Sequence, residues 1–308
     1  MKKTIVAAAV AAFVSAPAFA DVSLYGKAHL AAEFGDGNLN ATSTTDQDRI
    51  ASRASRFGIK ASEDLGNGMS AFVKYEFGAD AIDGTDGLTA RDANMGLKGD
   101  FGTLAFGRMG APVKGVLYGV GNVQLADANG GDDFAQGFHA KGTRSNNVVA
   151  YSNNMGGVDV TIGTSGNDDD DNFDGKHFSA KTNMGGATVA VGLYDTSTLD
   201  TMIVGAKMSM DNLTAAVVYE DADSTTANAD YDTTGVSLSY KMGANTISAS
   251  YSTRDHENSA TADIDRTTFG LQHALSKKTS VYVSYGDVDT GVANTTEDVT
   301  SVGMIMSF

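Results

Sequence analysis

The sequence has no cysteine, no tryptophan and only two prolines in 308 residues. Without cysteine there is no disulfide framework, so an exported chain of this composition draws its stability from elsewhere. Beyond the first twenty positions no apolar run approaches the roughly 20 residues that a membrane-spanning helix requires. If the mature chain meets a membrane, it must do so as a closed sheet. No HExxH, GxSxG, P-loop or dinucleotide fingerprint is present. The five histidines, His29, His139, His177, His256 and His273, show no metal-ligand spacing. Nothing assembles a nucleophile, a base and an orienting group, so no enzyme, catalytic residue, cofactor or metal site is expected.

What is present begins with a leader. Lys2 and Lys3 precede an apolar run from Ile5 to Val14, followed by Ala18-Phe19-Ala20. Charged start, short apolar stretch and small residues at −3 and −1 form the pattern of a cleaved secretory signal. Residues 1–20 are therefore expected to be a signal peptide, with Asp21 the mature N-terminus and 21–308 a single domain. Cleavage takes the formal charge from −16 to −18.

From Asp21 the hydrophobic period is two. In "DVSLYGKAHLAAEF" Val22, Leu24, Ala28, Leu30 and Phe34 share one face, and Ser23, Tyr25, Lys27, His29 and Glu33 the other. "MSAFVKYEF" sets Met69, Ala71, Val73, Tyr75 and Phe77 against Ser70, Phe72, Lys74 and Glu76. Such alternation indicates half-buried strands. It also explains why only 42% of the chain is hydrophobic, since each strand needs apolar residues at alternate positions. The 36 glycines suit turns and crowded strands.

The connections alternate too. "LGNG", "GDFG", "NMGG" and "MGAN" are tight turns, whereas "GDGNLNATSTTDQD", "GNDDDDNFDG" and "EDADSTTANAD" are long and acidic. Short turns at one end and long loops at the other are the rhythm of a transmembrane antiparallel β-barrel, here of about 16 strands. A secreted β-sandwich or β-helix shares the alternation but not that rhythm. The final "SVGMIMSF" alternates up to Phe308. A barrel accounts for this, because its last strand pairs with its first and leaves no edge in lipid. The "NDDDD" stretch at 167–171 lacks the spaced ligands, glycine and closing glutamate of an EF-hand loop, and is expected to be a solvated outer loop. A bridging role for divalent cations between it and lipopolysaccharide phosphates stays open.

Several stretches resemble the general porins of Gram-negative outer membranes: "LYGKAHL", "SRFGIKASEDLGNGMSAFVKYEF", "RDANMGLKGDFGTLAFGR" and "RSNNVVAYSN". The resemblance implies a homotrimer in outer-membrane lipid and lipopolysaccharide. It implies one water-filled pore per subunit for passive passage of ions and small hydrophilic solutes, and no nucleic-acid partner. It implies an inward-folded third loop, for which the long connection at about 110–142 is the candidate, and a C-terminal Phe308 read by the barrel assembly machinery. It places acidic loop residues against a basic wall at the constriction. The acidic candidates are Asp127, Asp132 and Asp133; the wall candidates are Lys27, Arg56, Arg91 and Arg144. Alternation by itself turns Lys27, Arg56 and Arg144 inward. It turns Arg91 toward lipid unless a β-bulge or a loop-end position intervenes, and Arg108 has the same parity problem. The acidic loops suggest a weak cation preference. A solute-selective porin, or a non-conducting structural or adhesive barrel, is the alternative.

Overall fold

The computed structural model describes residues 21–36, 48–79, 87–121, 138–166, 173–225, 230–258, 260–292 and 297–308. Alternating apolar residues produce seventeen β-segments in one closed antiparallel sheet. They are β1 (Asp21–Asp36), β2 (Arg49–Ser52), β3 (Arg56–Gly66), β4 (Met69–Ala79), β5 (Leu88–Gly99) and β6 (Gly102–Gly110). After the long connection come β7 (Arg144–Met155), β8 (Val158–Ser165), β9 (Gly175–Met184), β10 (Ala187–Asp195), β11 (Leu199–Met210) and β12 (Leu213–Ser224). The circuit ends with β13 (Tyr231–Met242), β14 (Asn245–His256), β15 (Ile264–Ala274), β16 (Thr279–Asp289) and β17 (Glu297–Ser307). Each pairs with its sequence neighbour, and β17 returns to β1 from Lys27↔Ser307 to Asp36↔Asp298. The circuit of strands thus closes on itself, as spanning hydrocarbon requires.

Segments β2 and β3 both pair with β1 and are two parts of one crossing. Sixteen crossings therefore form the barrel. Three residues, Arg53–Ser55, face only two on β1 where the parts meet, and Ala54 takes φ 49° there. The rhythm of the connections has one exception. On the long-loop side, β10 and β11 are joined by Thr196–Thr198 alone, closed by the Thr196 amide on the Leu199 carbonyl at 3.0 Å.

The two faces sort as their chemistry dictates. Val22, Leu24, Leu30, Phe34, Val302, Met304 and Met306 are exposed on the outer face. The alternate positions His29, Glu33 and Ser301 are buried inside. Phe308 extends the closing ladder by one pair: its amide donates to the Gly26 carbonyl at 3.1 Å, and the Gly26 amide donates back at 3.2 Å. Its ring fills the space over Gly26, where a Cβ would lie 2.2 Å from it.

The largest apolar cluster among the described residues joins the segment after β6 to the wall of β10–β12. Helix α1 (Pro112–Val116) and the π-turn Leu117–Gly121 bring Val113, Val116, Leu117 and Val120 against Ala190, Ile203 and Val218, inward residues of β10, β11 and β12. Phe138 and Ala140 join the same cluster. Gly205 permits the approach, because a Cβ there would stand 2.6 Å from Val120. Burying these side chains favours docking by about 1.5–3 kcal/mol each, before the entropy of ordering the segment is subtracted.

Candidate functional site

The inner wall of β1 and β3–β7 carries a compact set of charges around an open cavity of about 1160 Å³. Lys27, Arg56, Lys74, Glu76, Arg91, Asp92 and Arg144 line it, as do Lys114 and His139 of the connection between β6 and β7. Lys27 and Arg56 are direct cross-strand partners.

Register breaks aim the arginines. Tyr75 pairs with Ala93 and Phe77 with Ala90, so the single residue Glu76 faces two, Arg91 and Asp92. This is a β-bulge of one extra residue, and both Arg91 and Asp92 turn toward the cavity. Arg91 reaches Glu76 Oε1 with its Nε at 2.7 Å. Arg144 Nε lies 2.9 Å from Asp92 Oδ1, and its Nη2 lies 3.9 Å from Glu76. Lys74 Nζ is 2.5 Å from Asp92 and 3.6 Å from Glu76. Tyr25 donates its hydroxyl to the remaining Glu76 oxygen at 2.9 Å. Arg56 follows the break at Arg53–Ser55, and its Nη1 donates to the Ala54 carbonyl at 3.2 Å. Near Arg144 a second bulge sets Arg108 opposite Asn146 and Asn147, the latter at φ 49°. Arg108 donates to Asn146 and does not line the cavity.

All four wall residues expected from the sequence, Lys27, Arg56, Arg91 and Arg144, thus border one cavity. Asp127, Asp132 and Asp133 lie outside the described residues. The carboxylates beside the basic residues are Glu76 and Asp92, which sequence reasoning did not single out. Alternation already turned Glu76 inward next to Lys74; Asp92 depends on the bulge, which has no strong signature in sequence.

The other flank is anchored by polar contacts. Glu220 of β12 is fully buried and accepts the amides of His139 at 2.5 Å and Ala140 at 2.9 Å. Lys207 of β11 donates to the Gly119 carbonyl at 2.5 Å. His139 stands in the 3₁₀ turn His139–Lys141, where burial first and the Arg254 charge second hold its imidazole below the ordinary value. The inward aromatics Tyr25, Phe72 and Tyr282 lie flat over the opposite glycines Gly58, Gly96 and Gly303, so they form no stacking ladder. Among the described residues no group of three or more histidine, cysteine or acidic side chains could hold a metal ion.

A family model described as Gram-negative porin matches residues 7–293. The chain belongs to the Gram-negative porin family. Its stretches most like characterised porins are shorter. The Major outer membrane protein P.IB of Neisseria gonorrhoeae is 37% identical over 120 residues, covering 37% of this chain and 34% of that protein. P.IB of Neisseria meningitidis serogroup B is 40% identical over 119 residues, covering 37% and 35%. The matched part spans about a third of the length of these relatives. Solved structures extend the likeness in fold across the barrel. An anion-selective porin from Comamonas acidovorans superposes with TM-score 0.77 at 20% identity, over 94% of this porin and 100% of that one. OmpF of Salmonella typhi, solved with daunomycin, gives 0.74 at 18% identity, over 93% and 97%. A trimer form of OmpT from Vibrio cholerae gives 0.73 at 15%, over 94% and 99%. Family membership places this porin in the outer membrane of a Gram-negative bacterium.

Proposed function

We propose that this porin is a general diffusion channel: a water-filled pore that passes ions and small hydrophilic solutes down their gradients, with no bond made or broken. The observation that carries this reading is the open cavity of about 1160 Å³ in a closed barrel, with Lys27, Arg56, Lys74, Glu76, Arg91, Asp92 and Arg144 among its lining residues. Family and relatives point to a channel rather than an enzyme. Lys27, Arg56, Arg91 and Arg144 form the basic side of its narrowest part. The connection between β6 and β7, docked on β10–β12 at both flanks, folds inward to narrow it, and Asp127, Asp132 and Asp133 supply the acidic side. Fixed opposed charges in a narrow aqueous neck create a transverse field. Polar solutes align their dipoles with it, while apolar solutes must displace ordered water without compensation.

The same reading has residues 1–20 removed on export, a homotrimer as the working unit, and Phe308 read by the assembly machinery during insertion. Outer-membrane lipid and lipopolysaccharide surround the barrel. Whole-chain acidity is a poor guide to ion preference, because inward-facing basic residues outnumber the acidic ones on the described wall.

The test is conductance of purified protein in a planar bilayer. Ohmic steps that close in threes support an open trimeric pore. Silent membranes despite a folded, β-rich protein would show a plugged or structural barrel. Saturable block by one solute class would move the assignment to a selective porin.

A further inference from the structure

The acidic side of a porin neck is expected on the inward loop, opposite a basic wall. Here the wall has carboxylates of its own. Glu76 and Asp92 stand among the basic side chains, with side-chain exposures of 8% and 13%. Between them they engage Arg91, Arg144 and Lys74 within 4 Å. The pairing has two effects. Each carboxylate cancels charge that a passing anion would otherwise meet. Each also holds a long, flexible cation against the wall, where left alone it would extend toward water in the middle of the pore. Arg56 behaves differently: its hydrogen bond among the described residues is to a neutral carbonyl, so its full charge faces the cavity.

We propose that Glu76 and Asp92 are specificity-determining residues of the pore, setting its ion preference and its usable width by clamping Arg91, Arg144 and Lys74. The inference rests on the diffusion-channel reading. They are positioning residues for the cations, and their own charge is half of the effect. The bulge is what makes this available, since it delivers Arg91 and Asp92 together to the face of Glu76.

The test uses Glu76→Gln and Asp92→Asn in the full-length porin, reconstituted in planar bilayers. Two quantities are read: the reversal potential in a dilute KCl gradient, and the single-channel conductance in about 1 M KCl, where the Debye length falls to roughly 3 Å. Each substitution leaves about one uncompensated positive charge, roughly 10 Å from the line that ions follow. In a water-like dielectric this raises the chloride-to-potassium permeability ratio about two- to fourfold. Conductance in high salt should fall as well, because a released Arg91 occupies pore width that screening cannot restore. The double variant Glu76→Gln/Arg91→Gln should return both readings close to wild type. If Glu76→Gln does not assemble, Asp92→Asn carries the same test, since it too removes one carboxylate charge from beside Arg144 and Lys74. Channels that conduct with an unshifted reversal potential in the assembled variants overturn the proposal and leave the diffusion pore standing. A silent wild-type protein overturns the diffusion pore and this proposal with it.

Discussion

Carboxylates occupy two regions of this barrel and are treated in opposite ways. Inside, Glu76 and Asp92 face Arg91, Arg144 and Lys74 and are mostly shielded from bulk water. Outside, near the long-loop end of β11–β17, aspartates face other aspartates. Asp200 pairs across the ladder with Asp223, Asp221 with Asp232, Asp232 with Asp255, Asp265 with Asp289, and Asp287 with Asp298. Alternation puts them on the face of Met202, Val217, Val236, Phe269 and Tyr285, all exposed. Like charges directly opposite are unfavourable in a sheet. The rim tolerates them because water and salt screen the repulsion, and because Tyr219 and Tyr251 donate hydroxyls to Asp232 and Asp265 at 2.6 and 2.8 Å. The difference teaches that the formal charge of −16 is a property of the rim more than of the pore.

The sharpest way to break the comparison is to give the inside the rim's arrangement. Arg91→Glu would set three carboxylates in one bulge. It should cost about 2 kcal/mol in urea unfolding of vesicle-inserted barrels, reduced from a fully buried case by the remaining exposure. A neutral result would mean that the inner cluster is as well screened as the rim.

Next in size is the inner flank. Glu220→Gln replaces one acceptor oxygen by a donor facing two amides, at a cost of about 1–2 kcal/mol to local docking. The amides of His139 and Ala140 should then exchange with solvent much faster while the barrel melts almost unchanged. Unaltered exchange would show that the apolar contacts of Phe138 and Ala140 hold the segment alone.

On the rim the sign reverses. Asp232→Asn removes two repulsive pairs and keeps the Tyr219 hydrogen bond, so the barrel should gain a few tenths of a kcal/mol. The gain should shrink in high salt; a loss of stability would show that the rim pairs are not repulsive.

The smallest effect concerns pH. The folded-state value of His139 lies below the ordinary 6.5, so below that pH the undocked segment takes up a proton that the docked one resists. Docking therefore weakens as pH falls through 6.5 toward the folded value, and is fully present above it. The protection of the Ala140 amide, taken against the free-peptide exchange rate at each pH, should fall between pH 7 and 5 in the wild type and less so in His139→Asn. Equal pH dependence in the two would exclude the histidine as the cause.

Most of the barrel was legible because its code has period two. The alternation in "DVSLYGKAHLAAEF" fixed both faces of β1, and the turn "LGNG" fixed the β3–β4 hairpin. Lys27, Arg56 and Arg144 turn inward by the same count. That count fails where an extra residue enters. Arg91 needed a bulge whose position nothing in "LTARDANMGLKG" marks, and Asp92 was missed for the same reason. Alternation identifies a face but not the neighbour across the ladder. Glu76 could thus be placed inside without its partners Arg91 and Tyr25 being visible. The break of one crossing into β2 and β3 was hidden too, because Ala54 is not a residue that advertises a positive φ.

One consequence of the bulge on β5 concerns heredity. The charge pattern of this wall depends on the number of residues between Ala90 and Ala93 as well as on their identity. Loss of a single codon there would restore regular pairing and take Arg91 or Asp92 out of the cluster without replacing any charged residue. If Glu76 and Asp92 set the ion preference as proposed, the pore can change it by a length mutation as readily as by a substitution.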